Sequence, residues 1–369
     1  QLLNYAFDRW TPGEGNLVEL ASAIDGAPVA TMGSGGLDFA GMLKHARDVG
    51  GPALRRMTFH ERARMLKALG QAILARKEAL YELNYLTGAT RTDGWIDIEG
   101  GAGTLFSFSS KGRRELPDAH VLMDGPLEPL SKSGSFVGQH IYTPFQGAAV
   151  HINAFNFPVW GMLEKLAPTL LAGVPAIVKP ASATSYLTEA AFRVMIESGM
   201  LPTGAVQLIV GGVGDLFDHL GGQDVVSFTG SASTALKLRT HPTVMRESVK
   251  FIAEQDSLNA SLLGPDAAPG TPEFDLFVRE VAIEMTVKAG QKCTAIRRAM
   301  APAEHLDAVQ QALAERLAST KVGDPRAEDT RMGALVSLSQ RDDVRAKIGE
   351  LEAAGARMVA GGPSAEPPV

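Results

Sequence analysis

The sequence has one cysteine, no long apolar run and no strong excess of charge. One cysteine among 369 residues cannot form an internal disulfide, which suits a reducing compartment such as the cytoplasm. No apolar run reaches the length of a membrane span, and no signal-peptide pattern is present. With 35 basic and 41 acidic residues the formal net charge is −6, and no basic block stands out. We therefore expect a cytoplasmic globular protein without a membrane or nucleic-acid partner.

Two common ligand signatures are also missing. The eight histidines are scattered, and no His-x-x-x-His or Cys-x-x-Cys spacing occurs, so a metal site is not expected. The G-x-G-x-x-G fingerprint of dinucleotide-binding folds is absent as well. A glycine cluster at 211–214 is compatible with a plain turn.

What is present is an α/β pattern with a hydrophobic fraction of 45%, enough for large cores. Short apolar runs alternate with helix-length segments after residue 147, and they occupy 148–152, 175–178, 206–210 and 225–228. Runs of this kind are typical of strands buried on both faces, so we predict a doubly wound parallel sheet. Upstream, Thr58 and Glu61 have capping-box spacing and predict a helix start.

The predicted organisation has two α/β domains. A change of composition near Lys250 separates a first α/β domain, residues 1–250, from a second α/β domain, residues 251–369, which carries Cys293. The Pro/Gly/Ser-punctuated stretch 118–146 predicts an extended ribbon, which we interpret as an oligomerisation arm. Because the chain begins with Gln1 and stops soon after a strand-like segment, we expect it to be part of a longer polypeptide.

Cys293 is the first candidate for chemistry. A lone cysteine is most often a small buried apolar residue. Its neighbours Lys292, Thr294, Arg297 and Arg298 are instead polar and cationic, and such surroundings lower a thiol pKa and favour a reactive thiolate.

Further candidates follow the predicted strands, where open α/β sheets bind ligands. Lys179 could bind a ribose or be a solvated charge. Gly230 and Ser231 open a helix, and Ser231 could hold a pyrophosphate or simply cap that helix.

Asn156 could donate to an oxyanion or cap the helix that begins near Pro158. Glu254 could activate water if an apolar cleft raises its pKa, or could lie in a solvated turn.

Taken together, these residues resemble the aldehyde dehydrogenase family. The matching motifs occur in the family order: F-N-F-P at 155–158, V-K-P at 178–180, F-T-G-S at 228–231, Glu254, and G-Q-K-C at 290–293. The resemblance implies an aldehyde dehydrogenase fold in which Cys293 is the nucleophile, Asn156 the oxyanion donor and Glu254 the general base. It also implies a nicotinamide cofactor bound by Phe155, Lys179, Ser182, Gly212, Gly230 and Ser231.

Two inferences about ligands depend on this resemblance. NAD-preferring relatives commonly carry an acidic residue three positions after the ribose lysine, whereas this chain has Ser182, so we predict NADP, with NAD less favoured. Phe155 and the segment Glu254 to Asn259 depart from the usual family pattern. They resemble a branch acting on CoA-linked semialdehydes from aromatic-ring cleavage. We predict the phenylacetate type, such as 3-oxo-5,6-dehydrosuberyl-CoA semialdehyde, with dehydroadipyl-CoA semialdehyde or a generic aldehyde as alternatives.

Two other classes of function stay open. A thiol hydrolase or acyltransferase would also use one cysteine, but it should have a histidine partner, and none of the eight lies in a matching motif. A non-catalytic nucleotide-binding module is the other alternative.

The family motif E-x-F-G-P, which holds the nicotinamide ribose, does not occur before Val369. We expect a homo-oligomer of two or more subunits.

Overall fold

The computed structural model describes residues 1–362. Its strands are β1 (Leu3–Ala6), β2 (Arg9–Pro12), β3 (Val18–Ala21), β4 (Pro28–Met32), β5 (Leu122–Pro129), β6 (Val137–Tyr142), β7 (Ala149–Ile152), β8 (Ala176–Lys179), β9 (Val206–Leu208), β10 (Val225–Gly230), β11 (Lys250–Gln255), β12 (Asn259–Leu262) and β13 (Ile296–Met300). Its helices are α1 (Phe39–His45), α2 (Gly51–Arg55), α3 (Phe59–Ala75), α4 (Lys77–Tyr85), α5 (Arg91–Gly94), α6 (Gly100–Glu115), α7 (Pro158–Leu171), α8 (Ser185–Glu197), α9 (Ala232–Arg239), α10 (Pro242–Arg246), α11 (Pro272–Thr286), α12 (Leu306–Ala318) and α13 (Leu338–Ala353).

The chain divides into two compact units. The first contains residues 1–19, 30–80 and 96–255, and the second contains 20–29, 81–95 and the chain from 256 onward. A boundary at residue 250, as drawn from composition, falls at the start of β11, which pairs in parallel with β10. The backbone hydrogen bonds of that strand keep it in the first unit, so the division lies after Gln255.

A seven-stranded sheet forms the centre of the first unit, in the order β11-β10-β7-β8-β9-β1-β2. The strands from β7 to β11 pair in parallel, whereas β1 joins β9 and β2 antiparallel at one side. The predicted doubly wound parallel sheet is thus confirmed. Three consecutive residues of β7 and of β8 are buried, as expected for strands covered on both faces.

Helices pack against this sheet, and one of them begins at the predicted capping box. The helix α3 begins at the Thr58 capping box, in which the Thr58 hydroxyl accepts from the Glu61 backbone N–H and the Glu61 carboxylate accepts from the Thr58 N–H. On one side of the sheet, a buried cluster joins β7 and β8 to α1. Its members include Met42, Leu43, Val150, Ile177 and Val226.

Residues 122–142 form an antiparallel hairpin of β5 and β6. The predicted ribbon is therefore present. Its large apolar side chains are half or more exposed at Leu127, Leu130, Phe136, Ile141 and Tyr142.

The second unit contains its own α/β core. Its strands β12 and β13 pair in parallel, and α11 packs against α12 through Phe274, Phe277, Val281 and Val309. Cys293 belongs to this unit. None of the helices between residues 1 and 362 is both long and apolar enough to cross a membrane.

Candidate active site

The carboxyl edge of the parallel sheet brings together most of the predicted residues of the first unit. Ile152, the last residue of β7, is level with Lys179 on β8 and with Phe228 on β10. One step further, Thr229 on β10 is level with Glu254 on β11. Because parallel strands end at the same edge, the loops that follow them gather polar groups there, the usual ligand position of open α/β sheets.

Asn156 lies in the bend between β7 and α7, and it does not cap the helix. The N-cap residue of α7 is Phe157, which forms no side-chain capping bond. Instead the buried carboxylate of Asp97 accepts from the backbone N–H groups of Val159 and Trp160, at 3.0 and 2.8 Å. Asp97, rather than Asn156, therefore caps the start of α7.

Lys179 and Ser182 follow β8. The Lys179 ammonium is largely shielded from solvent, and this burial lowers the pKa of Lys179 below its ordinary value. Ser182 is exposed at the start of a 3₁₀ turn, Ser182–Thr184. The N-cap of α8 is Thr184, and the Ser182 hydroxyl forms no capping bond. The alternative in which Ser182 caps the following helix is therefore wrong.

In the F-T-G-S turn at 228–231, the structure shows that Ser231 caps the helix that follows. Ser231 is the N-cap of α9, and its hydroxyl accepts from the Thr234 backbone N–H at 3.3 Å. The same hydroxyl donates to the Thr234 hydroxyl at 3.0 Å, so Ser231 could donate to an anion only by exchanging that bond. Gly230 closes β10 immediately before it.

Gly212 follows β9 in a segment that packs closely against residues 34–39. Its carbonyl accepts from the Ser34 hydroxyl at 2.6 Å. Gly214 has φ +47°, and a Cβ there would overlap the Phe39 ring, so this turn needs glycine for packing. The close approach of residues 34–39 explains the glycine cluster without a ligand, although Gly212 itself is exposed.

Glu254 is exposed at the carboxyl end of β11. We expected an apolar cleft around this carboxylate, and its exposure differs from that expectation. Its neighbour in register, Thr229, has a buried hydroxyl that forms no hydrogen bond with any described residue.

Cys293 belongs to the second unit and is exposed, so it is not a buried apolar residue. It lies in a turn that precedes β13. The side-chain amide of Asn259, the first residue of β12, donates to the Cys293 carbonyl at 2.6 Å and to the Ala295 carbonyl at 3.2 Å. The strand that follows Glu254 along the chain therefore holds the backbone of the cysteine turn.

The cationic side chains around Cys293 are engaged with other groups. Lys292 pairs with Glu284 at 2.7 Å, Arg297 donates to the Lys292 carbonyl at 3.1 Å, and Arg298 donates to the Leu258 carbonyl. The charge of Lys292 is thus balanced by a carboxylate, which weakens its attraction for a thiolate relative to our expectation.

Sequence reasoning missed Asp97 and Asn259. Asp97 serves a helix that begins 61 residues further along the chain, and Asn259 contacts a turn 34 residues away. Neither contact has a local motif. Among residues 1–362, no group of three or more His, Cys, Asp or Glu side chains could hold a metal ion.

Comparisons with known proteins agree with this architecture. The model of the aldehyde dehydrogenase family matches residues 10–368, and the chain belongs to that family. It is 45% identical over 342 residues to the 3,4-dehydroadipyl-CoA semialdehyde dehydrogenase of Aromatoleum evansii. That match covers 92% of this chain but 66% of the relative, so the chain spans just under two thirds of the relative's length.

Solved structures share the fold. Betaine aldehyde dehydrogenase from Staphylococcus aureus, solved in complex with NAD+, has a TM-score of 0.86 at 23% identity over 99% of this chain and 70% of its own. An E. coli NADP-dependent enzyme has a TM-score of 0.85 at 21% identity, over 99% and 73% of the two chains. At such identities the likeness establishes the fold alone, and it confirms the predicted aldehyde dehydrogenase fold.

Proposed function

We propose that this protein oxidises an aldehyde to a carboxylic acid through a covalent intermediate on Cys293. The observation that carries the proposal is the chain's one cysteine, exposed in a turn whose backbone Asn259 holds, in a chain of the aldehyde dehydrogenase family. An exposed, positioned thiol is what nucleophilic catalysis requires.

The chain's own residues have separate tasks in this reaction. The Cys293 thiolate forms a bond to the aldehyde carbon, and the carbonyl oxygen becomes an alkoxide. The side-chain amide of Asn156 and the backbone N–H of Cys293 donate to that oxygen. After oxidation the carbon is held as a thioester. Glu254 removes a proton from water, which attacks the thioester, releases the acid and returns the thiolate.

A nicotinamide cofactor fits the residues at the sheet edge and would supply the hydride acceptor. The donor set at this edge, the Lys179 ammonium and the exposed Ser182 hydroxyl, suits ribose and phosphate oxygens. Lys179 and Ser182 would hold the adenosine ribose, while Gly230 and Ser231 open α9 for a pyrophosphate. Phe155 and Gly212 are proposed as further contacts.

Within this function we propose NADP as the preferred cofactor. Ser182 is exposed and its hydroxyl is not used as a cap, so it is available to a 2′-phosphate. A carboxylate at this position would repel that phosphate. Lys179 would add attraction.

The proposed substrate is a CoA-linked semialdehyde. The support is the name of the relative that is 45% identical. That name favours dehydroadipyl-CoA semialdehyde over the phenylacetate-type substrate that we predicted from the sequence. Remote binding of the CoA group would raise kcat/KM above that of a free aldehyde.

We also propose that the β5–β6 hairpin joins copies of the chain into a homo-oligomer. Contiguous exposed apolar side chains, such as those of the hairpin, mark interaction surfaces. Light scattering of the purified protein gives the subunit number, and a monomer would contradict this proposal.

The decisive experiment follows cofactor reduction with 3,4-dehydroadipyl-CoA semialdehyde and with a free short-chain aldehyde, using NADP and NAD. Cys293→Ala should abolish turnover without loss of fold, while Ser339→Ala, an exposed substitution on α13, should keep it. Acyl transfer or hydrolysis without cofactor reduction would indicate a thiol hydrolase. Equal kcat/KM for the free and CoA-linked aldehydes would contradict the proposed substrate.

A further inference from the structure

We propose that Lys288 is a positioning residue for Cys293, acting through a buried cluster with Asp93 and Thr87. Its effect on the thiol is independent of the reaction, whereas its effect on turnover rests on the proposed function. All of the residues involved lie in the second unit.

The chain approaching Cys293 has an unusual backbone. Lys288 has φ +55° and ψ +31°, and Ala289 has φ +52° and ψ +37°. Gly290 follows with φ +71°. Side chains with a Cβ rarely adopt the left-handed region, and two in succession persist only where the surroundings hold them.

Buried contacts of Lys288 hold this backbone in its left-handed conformation. It is 3% exposed, an exceptional value for lysine. Its backbone N–H donates to the Asp93 carboxylate at 2.8 Å, and its ammonium donates to the Thr87 hydroxyl at 2.9 Å. One residue is therefore attached at both its backbone and the end of its side chain.

The two acceptors are themselves fixed. Asp93 forms a capping box at the start of α5, in which its carboxylate accepts from the N–H and the hydroxyl of Thr90. The Thr87 hydroxyl donates to the Asn84 carbonyl at 2.7 Å. Both are buried, so a shift of Lys288 would break buried polar contacts, which is costly.

Little freedom remains between Lys288 and Cys293. The Gln291 backbone N–H and side-chain amide both donate to the Lys288 carbonyl at 3.0 Å. The Gln291 side-chain oxygen accepts from the Val336 N–H at 3.1 Å. With Asn259 holding the Cys293 carbonyl, the segment 288–293 is attached at both ends, and its course sets the position of the thiol.

The test compares two substitutions at Thr87, of which valine has the size of threonine and serine is smaller by one methyl group. Thr87→Ser keeps the hydroxyl that accepts from the Lys288 ammonium, and Thr87→Val removes it. Lys288→Met removes the ammonium itself, with Lys347→Met, an exposed lysine on α13, as its control. The first measurement is the rate of alkylation by iodoacetamide, which reports on Cys293 alone because the chain has no other cysteine.

In Thr87→Val and Lys288→Met we expect the alkylation rate constant to differ from wild type by at least about threefold, since thiol reactivity follows its surroundings. We expect kcat to fall about tenfold to a hundredfold while KM stays within about threefold, because misplacement of a reacting group affects the chemical step. Thr87→Ser and Lys347→Met should match wild type in both measurements.

The proposal is overturned if folded Thr87→Val alkylates at the rate of Thr87→Ser. If Lys288→Met does not fold, the comparison of the alkylation rates of Thr87→Val and Thr87→Ser tests the proposal by itself. A wild-type protein that oxidises no aldehyde would overturn the proposed function, and the alkylation rates would still decide whether the cluster positions the thiol.

Discussion

Cys293 and Glu254 are both exposed, but their backbones are held differently. The cysteine turn receives the amide of Asn259, whereas Glu254 stands on a strand paired with β10. A nucleophile needs a defined position, and a base that works through water needs solvent access. These are the roles that we propose for the two residues.

Glu254→Gln should separate the two halves of the reaction. Because oxidation precedes the step that needs the base, we expect a burst of reduced cofactor equal to the active sites, followed by stalling. Rapid-mixing absorbance measures the burst, and Glu350→Gln, an exposed substitution on α13, is the control. Normal steady-state turnover in Glu254→Gln would exclude this residue as the base.

Ser182→Glu should change cofactor preference. A carboxylate near a 2′-phosphate costs about 1 to 4 kcal/mol in a partly solvated cleft, or roughly tenfold to a thousandfold in affinity. We expect the parent to favour NADP and the variant to lose NADP activity far more than NAD activity, measured as kcat/KM. Equal losses for both cofactors would show that Ser182 does not face the 2′-position.

At the scale of elements, the start of α7 depends on another part of the chain. Pro158 opens the helix and Phe157 cannot cap it, so the N–H groups of Val159 and Trp160 in the first turn rely on Asp97. Since Asn156 directly precedes this turn, the same carboxylate that stabilises the helix also fixes the backbone leading to the proposed oxyanion donor.

Asp97→Ala should lower the free energy of unfolding by about 1 to 3 kcal/mol, because two N–H groups lose their acceptor. Urea unfolding measures this loss, and Asp343→Ala, exposed on α13, should change it by less than about 0.5 kcal/mol. We also expect kcat to fall more than KM rises. Unchanged stability would mean that water replaces the carboxylate.

At the scale of the whole molecule, a buried histidine links stability to pH. His151 on β7 is 1% exposed, and its Nε2 lies 3.1 Å from the Thr169 hydroxyl. Burial first, and the positive charge of Lys165 second, lower the pKa of His151 from 6.5 to about 3. Between these values the unfolded chain binds a proton that the folded protein does not, so stability falls as the pH drops below about 6.5.

His151→Gln should flatten this dependence. Wild type should lose up to about 1.4 kcal/mol per pH unit from this group between pH 6.5 and 4, and the variant should lose correspondingly less, as measured by urea unfolding across that range. The comparison uses only the change in the free energy of unfolding with pH, and not its absolute value in the variant. His120→Gln, at an exposed histidine, should keep the wild-type slope, and identical slopes for His151→Gln and wild type would contradict the assigned pKa.

Local patterns in the sequence were sufficient to predict the sheet strands, the start of α3 and the hairpin ribbon. Burial on both faces and helix capping each require particular residue types at neighbouring positions. The motif order also identified the family. The roles of Cys293 and Glu254 stay predictions. The exposure of both residues emerges only in the folded chain, which also decides that Ser231 caps α9.

Contacts between distant residues were decided by the tertiary structure alone. Asp97 caps α7, Asn259 holds the Cys293 turn, and Lys288 reaches Asp93 across 195 positions. No periodicity or spacing records such a pair, since each residue alone is an ordinary polar side chain. The sequence by itself therefore determined which elements form and which chemical groups are available, whereas tertiary packing decided which polar groups meet, because burial makes each of them require a partner.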